Sequence, residues 1–311
     1  MYTIRQPNRI IFGRNSSKNY LFEKNCLVIT SSGAKSRGWL DYLNLRDYQL
    51  FDSVEPNPSM ETVEKILSEY NQSYSFVIGL GGGSSLDVAK FVANKLKTKK
   101  ILIPTTFGSG SEVTRISVLQ IDGKKTSFHS DNLLADISII DPYFIKDAPF
   151  EIIKNSAIDA CAQCTEAFDS KLANIYTKFL CEKAFHILEK ALIDETYEDL
   201  AYGAMISGLG FGNSSTTLGH ALSYVYSNEG ISHGHALSFT TLIAHQFNNS
   251  KFHDRFKFLV DKLNFKPIKL KQNLHVASKL IQTDRKHLDY NPKNISDDEI
   301  ISLLESINSK N

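Results

Sequence analysis

The chain has 311 residues and a formal net charge of +1 at pH 7, with 42% hydrophobic and 22% charged residues. This length allows a large core and two domains, and the composition is that of a globular protein. The near-neutral charge excludes an argument for nucleic acid or an anionic membrane surface as partner. No apolar run reaches the roughly 18 residues of a transmembrane helix, and the start MYTIRQPNRIIFG is unlike a secretory signal. We therefore expect a cytoplasmic protein.

The first half of the sequence alternates short β-branched runs with helix-like segments. Strands are predicted in CLVITSS, YQLFDSV, SFVIGLGGGSS and KILIPTT, with helices in segments such as SMETVEKILSEYNQ and SLDVAKFVANKLK. Strands alternating with helices predict a parallel sheet that is covered on both faces.

From about Pro149 onwards the sequence has helical spacing without strand-like runs. We predict an α/β domain over residues 1–149 and an all-α domain over residues 150–311, with one continuous α/β domain as the alternative. The segment NISDDEIISLLESI is typical of a capped amphipathic helix with Ser296 as its N-cap. Cys161 and Cys164 form a CxxC, but without a second pair we expect buried helix residues rather than a zinc or redox site.

Two loops follow predicted strands and are rich in small residues. Gly81, Gly82 and Gly83 lie between a buried strand and a helix, where a backbone without side chains and a helix N-terminus favour a phosphate. The spacing is not G-x-G-x-x-G, so a simple tight turn is the alternative. The segment IPTTFGSGSEVT, residues 103–114, follows the next strand. Two such loops at one edge of a parallel sheet predict a dinucleotide site.

Three histidines lie within HALSYVYSNEGISHGHA, residues 220–236. Proton chemistry needs one histidine, whereas a metal needs two or more together with ligands from elsewhere in the chain.

The loops GGGSSLDVAK and PTTFGSGSEVT resemble the nucleotide loops of the iron-containing (group III) alcohol dehydrogenase family. The segments EPNPSMETV, LADISIIDP and NPKNISDDEIISLLESI match family segments in the same order. The resemblance covers essentially the whole chain, although the helical half is shorter than usual after about Lys251. It implies the dehydroquinate synthase-like fold: an N-terminal Rossmann-like dinucleotide-binding domain plus an all-α C-terminal domain. It also implies a divalent metal in the cleft between them, and a homodimer.

The resemblance implies a metal site because the family places Asp and His four residues apart on one helix and adds two later histidines. Asp159 fits the aspartate, but the position four residues later is Gln163. His220 and His233 match the later ligands. We expect these residues to hold Fe²⁺ or Zn²⁺, with Gln163 as a weak ligand. Loss of the metal is the alternative.

The resemblance also implies NAD(P)H contacts. The matching positions are Ser31, Gly81, Gly82, Gly83, Ser84, Asp87, Thr105, Thr106 and Lys125. The NAD-preferring members have Asp where this chain has Ser31, and the segment TSSGAKSRG offers Lys35 and Arg37 but no acid. We therefore expect NADP(H) to be accepted.

The implied reaction is reduction of a small aldehyde, with the metal polarising the carbonyl and the nicotinamide supplying hydride. Metal-bound water, Tyr224 or His235 could relay the proton. Arg115 could bind an acidic substrate group or form a structural salt bridge. The remaining histidines are expected to be structural or surface residues: His129, His186, His245, His253, His275 and His287.

The segments DACAQCTEAF, NSSTTLGHALSY and GISHGHALS are similar to a subgroup of phosphonoacetaldehyde (hydroxyethylphosphonate) reductases. Two other functions stay open at this point. One is a dehydroquinate synthase-like lyase that uses NAD transiently, and the other is a metal-free, non-catalytic nucleotide-binding protein.

Overall fold

A computed structural model describes residues 2–146 and 148–309. Its main sheet has six parallel strands in the order β1-β8-β5-β4-β2-β3, and a separate hairpin pairs β6 with β7. The strands are β1 (Arg9–Phe12), β2 (Cys26–Thr30), β3 (Tyr48–Phe51), β4 (Phe76–Gly81), β5 (Lys100–Pro104), β6 (Ile116–Ile121), β7 (Lys124–His129) and β8 (Ile137–Ile140).

The central strands β2, β4 and β5 are buried along their whole length. Continuous apolar runs are typical of parallel strands that are covered on both faces. The structure confirms the four strands predicted from the sequence, and it adds β1, β8 and the hairpin.

The second half of the chain is helical, as predicted. The α-helices are α1 (Ser16–Asn19), α2 (Gly33–Ser36), α3 (Trp39–Leu43), α4 (Met60–Glu69), α5 (Gly83–Lys95), α6 (Phe150–Asp169), α7 (Ile175–Asp194), α8 (Asp199–Phe211), α9 (Leu218–Asn228), α10 (His233–Asn248), α11 (His253–Lys262), α12 (Leu274–Gln282), α13 (Arg285–Leu288) and α14 (Asp297–Asn308). Ser296 caps α14 in a capping box with Glu299, and Cys161 and Cys164 are buried on α6. Both features agree with the sequence predictions.

The hydrophobic core has three clusters. Two cover the two faces of the sheet, and the largest fills the space between the helices from α6 onwards. Helix α6 begins directly after Pro149, which is where the sequence predicts the domain boundary. Among the described residues, no helix combines the length and apolarity needed to cross a membrane.

Candidate functional site

Three polar side chains lie on one buried face of α6. Asp159, Gln163 and Glu166 are at positions i, i+4 and i+7, a spacing that places them in one row along a helix. The Gln163 amide NH₂ donates to Asp159 Oδ1 at 2.9 Å. The Gln163 amide oxygen is buried and has no hydrogen-bond partner among the described residues. Asp159 and Gln163 therefore present oxygen atoms that could bind a metal in the space beside α6.

His220, on α9, is held in place by Glu166. Its Nδ1 lies 2.5 Å from Glu166 Oε2, and the same carboxylate accepts from the backbone N–H groups of Thr217 and Gly219. Burial raises the pKa of Glu166, but the charge of His220 and these hydrogen bonds together lower it by more. The pKa of Glu166 is therefore below the ordinary value of a glutamate. An ionised Glu166 fixes the proton on Nδ1 and leaves Nε2 free as a ligand.

His233, the first residue of α10, completes the group. His233 Nε2 lies 3.9 Å from Asp159 Oδ1, and His220 Nε2 lies 3.8 Å from the same oxygen. One ligand atom from each of Asp159, His220 and His233 lies within 4.8 Å of the others. Burial lowers the pKa of His233 well below its usual value, so its imidazole is neutral at pH 7 and able to bind a metal.

These donors fit the metal that the resemblance implies. Two imidazoles, one carboxylate and a free amide oxygen suit Zn²⁺ or Fe²⁺ and leave positions for a substrate. Burial raises the pKa of Asp159 to about 6, although His220, Gln163 and Lys125 lower it. A metal would hold this carboxylate in its ionised form, because ligand carboxylates bind deprotonated.

The glycine-rich turn lies at the carboxyl edge of the sheet. Gly81 ends β4 with a φ of +151°, a backbone conformation that residues other than glycine rarely adopt. Gly82 is the N-cap of α5, and a Cβ on it would lie 3.0 Å from Thr106 Oγ1. Thr105 N–H donates to the Gly81 carbonyl at 3.0 Å. The two predicted nucleotide loops are therefore packed against each other, and the N–H groups of α5 point to the open edge.

Asp87 ties this turn to the second loop and to the hairpin. Its carboxylate accepts from Ser111 Oγ at 2.6 Å and from Val118 N–H at 2.9 Å. The buried Lys90 ammonium lies 3.7 Å away and donates to the Ile116 carbonyl. Asp87 thus positions the loops through its own bonds, while Ser31 lies just past the end of β2, at the same edge of the sheet.

A cavity of about 310 Å³ joins the loops to the metal-ligand group. Its volume is in the range of small-molecule sites. The residues around it that were predicted from the sequence are Gly83, Ser84, Asp87, Lys125, Asp159, Gln163, His220, Tyr224 and His233. The structure therefore brings the predicted nucleotide loop and the predicted metal ligands to one cavity.

Some predicted residues lie outside the lining of this cavity: Ser31, Gly81, Gly82, Thr105, Thr106, His235 and Arg115. Thr105 and Thr106 line a separate small cavity instead. His235 Nε2 lies 2.6 Å from the Lys266 carbonyl, and its ring packs near Phe239 and Phe265, outside the lining of this cavity. This placement favours a structural role over proton relay. Arg115 pairs with Asp131 at 3.3 Å, which corresponds to the salt-bridge alternative.

Two further residues line the cavity: His287, which was expected to be a structural or surface residue, and Lys286, which was not predicted. His287 is buried, its Nδ1 lies 2.6 Å from Asp284 Oδ2, and its ring centroid is 6.1 Å from that of His220. Lys286 precedes it. Although Lys286 as a whole is exposed, its ammonium end is surrounded by protein, and this burial lowers its pKa to about 8 despite the nearby Asp284. Lys286 is therefore mostly charged at pH 7.

The fold is shared with solved structures of iron-containing alcohol dehydrogenases and related reductases. One is sulfoacetaldehyde reductase from Bifidobacterium kashiwanohense in complex with NAD⁺, which is 22% identical and superposes over 100% of both chains with a TM-score of 0.90. Another is an iron-containing alcohol dehydrogenase from Thermotoga maritima, with 24% identity, 99% of both chains covered and a TM-score of 0.87.

Two family models match the chain in succession. Residues 7–142 match iron-containing alcohol dehydrogenase, and residues 153–283 match the C-terminal region of the Fe-containing alcohol dehydrogenase family. The chain belongs to the iron-containing alcohol dehydrogenase family. The predicted family and fold are confirmed, and the family is the one for which a divalent metal and a nicotinamide cofactor are expected.

Among curated relatives, 4-hydroxybutyrate dehydrogenase of Clostridium kluyveri is 32% identical over 237 residues, which cover 65% of this chain and 64% of the relative. Long-chain-alcohol dehydrogenase 1 of Geobacillus thermodenitrificans is also 32% identical over 237 residues, with 65% of this chain and 60% of the relative covered. The chain thus matches somewhat less than two thirds of the length of each.

Proposed function

We propose that this protein reduces a small acidic aldehyde, such as phosphonoacetaldehyde, to a primary alcohol with NAD(P)H and a divalent metal. The observation that carries this proposal is the shared cavity, which has the glycine-rich turn on one side and the group of Asp159, His220 and His233 on the other. A cofactor at the turn and a substrate at the metal ligands would then meet inside one cavity.

The protein's part in this reaction is to bind and orient. When bound, the metal supplies Lewis-acid polarisation of the carbonyl, and the nicotinamide supplies hydride. Glu166 holds the His220 ring so that Nε2 points towards Asp159. Asp87 holds the two loops together beside the phosphate-binding turn. These contacts fix the relative position of the two reacting molecules, which lowers the entropic part of the barrier.

Tyr224 stays the proposed proton relay. Tyr224 lines the cavity, and its ring is nearly parallel to that of His233, with 6.1 Å between the ring centroids. Its hydroxyl has no hydrogen-bond partner among the described residues. Burial raises its pKa, so the phenol is protonated at pH 7 and able to donate. A donor beside the developing alkoxide would supply the proton that completes the alcohol.

The charge of the cavity supports an acidic substrate. Asp87 and Asp159 are balanced by Lys125 and Lys286, so a divalent ion would leave the cavity net positive. Two similar proteins are named for acidic compounds, 4-hydroxybutyrate and sulfoacetaldehyde, whereas a third is named for long-chain alcohols. A long neutral alcohol would not need lysines in the cavity wall, so Lys125 and Lys286 favour substrates that carry an acidic group.

The cofactor can carry a 2′-phosphate. The segment after β2 contains Ser31, Lys35 and Arg37 without an acidic residue that would repel it. We therefore propose that NADPH is used, with NADH as the alternative.

The test is turnover by the metal-loaded protein, followed as loss of NAD(P)H absorbance. We expect a higher kcat/KM for phosphonoacetaldehyde than for butanal or glyceraldehyde, and a KM for the acidic aldehyde that rises more with salt. A preference for the neutral aldehydes at both low and high salt would contradict the substrate class and leave the dehydrogenase activity standing. Absence of turnover on every aldehyde would contradict both.

A further inference from the structure

Lys286, on the short helix α13, bridges to the β6–β7 hairpin. Its ammonium lies 2.5 Å from His129 Nε2 and 3.2 Å from Ser127 Oγ, both on β7. Burial and the nearby Lys286 lower the pKa of His129 to about 4, so this imidazole is neutral and accepts the bond through Nε2. An ammonium has three N–H donors, and these two bonds leave one for another molecule.

Lys286 lies where two cavities adjoin. It lines the cavity of about 310 Å³ that contains the metal ligands and a neighbouring cavity of about 560 Å³. Lys125, on β7, lines both as well. The two lysines therefore face one shared space next to His287, whose ring lies 6.1 Å from that of His220.

The two lysines form no direct ion pair within the described residues, although Asp159 acts on Lys125 and Asp284 acts on Lys286 from a greater distance. Neither Lys125 nor Lys286 comes within 4.0 Å of a carboxylate oxygen of residues 2–146 or 148–309. The nearest acid in sequence, Asp284, is hydrogen-bonded to His287. Two ammonium groups at one cavity wall, neither with a carboxylate within 4.0 Å, attract an anion that can lie between them.

We propose that Lys286 binds the acidic group of the substrate while the carbonyl group lies at Asp159, His220 and His233. Lys125, which the family resemblance assigns to the cofactor, adds positive charge to the same wall. This inference rests on the proposed function. It assigns the recognition of the acid to α13 and β7 instead of Arg115, whose guanidinium is engaged by Asp131. His129 and Ser127 are positioning residues, because they act by holding the Lys286 ammonium at the cavity.

The test compares Lys286→Met with Arg285→Met. Arg285 is the adjacent residue, pairs with the C-cap residue Asp289 and lines neither cavity, so its replacement removes the same charge outside the site. With Lys286→Met we expect the ratio of kcat/KM for phosphonoacetaldehyde to that for butanal to fall by roughly 10- to 100-fold, the loss expected for one hydrogen bond to a charged group. Arg285→Met should keep the wild-type ratio, and Lys286→Arg should restore most of it.

A direct binding measurement separates this inference from the proposed function. Inorganic phosphate is titrated calorimetrically into the metal-loaded wild type and both methionine variants, each checked by thermal melting. Phosphate binding that is lost in Lys286→Met and kept in Arg285→Met supports the subsite even when wild type turns over no acidic aldehyde. Equal phosphate binding by all three proteins, or an equal loss of kcat/KM for both aldehydes in Lys286→Met, overturns it. A rise in the KM of NADPH alone would assign Lys286 to the cofactor and also overturn it.

Discussion

Gln163 is the position at which this chain departs most from its family's metal site. An amide oxygen is a weaker ligand than an imidazole, yet the Gln163 oxygen is buried without a partner beside Asp159. We expect Gln163→His to tighten Zn²⁺ or Fe²⁺ binding by about tenfold, which corresponds to about 1.4 kcal/mol. Competition with a chromogenic chelator measures the change in Kd.

The control for this prediction is the double variant His220→Ala, His233→Ala. It removes two of the three grouped ligands, so metal analysis of the purified protein should find no stoichiometric ion. Stoichiometric metal in the double variant would show that the ion is bound elsewhere, and unchanged affinity in Gln163→His would remove Gln163 from the ligand set.

His245 makes a separate prediction, about stability in acid. It is buried on α10 with Nε2 2.9 Å from Thr165 Oγ1, and burial lowers its pKa to about 4 from 6.5. The unfolded chain therefore takes up this proton first as the pH falls below 6.5. The stabilisation is complete above pH 6.5 and is lost between pH 6.5 and about 4, by roughly 3 kcal/mol at most.

The measurement is urea unfolding with a chelator present, at several pH values from 7 to 4. His245→Gln keeps an N–H donor for Thr165 but does not titrate, so its free energy of unfolding should fall less steeply with acid than that of wild type. Parallel curves for the two proteins would show that His245 does not titrate differently in the folded state.

Residue spacing found part of the site but not all of it. Glu166 was detectable, because it lies seven residues after Asp159 on the same helix face. Lys286 and His287 were not detectable, since they come from a four-residue helix far along the chain and only tertiary packing brings them to His220. Their role depends on neighbours that sequence periodicity does not report.

At the scale of secondary structure, the sequence predicted β2, β3, β4 and β5 and missed β1, β8 and the hairpin. The hairpin did carry a signal: Asp122 and Gly123 link two alternating strands, and both have positive φ, 50° and 74°. Asp-Gly in that setting is typical of a two-residue hairpin turn. Strands β1, β3 and β8 have four residues each, a length at which a periodic pattern is not decisive, and only β3 of these three was predicted.

The turn between β4 and α5 gives a prediction at this scale. A Cβ on Gly82 already approaches Thr106 Oγ1 to 3.0 Å, and the two methyl groups of valine would add bulk where a pyrophosphate must approach the backbone. We expect Gly82→Val to raise the Kd of NADPH by at least roughly tenfold, about 1.4 kcal/mol or more, as measured by fluorescence titration.

Gly82→Ala, which adds the Cβ alone, should have a smaller effect because the Thr106 side chain can rotate away. Metal affinity serves as the control for folding, since the metal ligands lie on α6, α9 and α10. Normal NADPH binding by Gly82→Val would make the turn purely structural.

For the whole molecule, alternation of strands and helices followed by helices alone was sufficient to predict the fold class, because a parallel sheet covered by helices and a set of packed helices have different sequence patterns. The order of the strands was not predictable from that pattern. It depends on which strands pair, and parallel pairing is set by tertiary packing and not by local sequence.

That strand order has a consequence for synthesis on the ribosome. β1 is translated first, but its parallel partner is β8, the last strand of the sheet to be made. Until residues 137–140 leave the exit tunnel, β1 has no partner. Strand β5, which is buried along its whole length in the folded protein, then has one unpaired edge. The nascent chain therefore contains an incomplete sheet with unpaired strand edges until β8 has been made. Such edges promote aggregation, so this is the interval in which a chaperone would protect the chain.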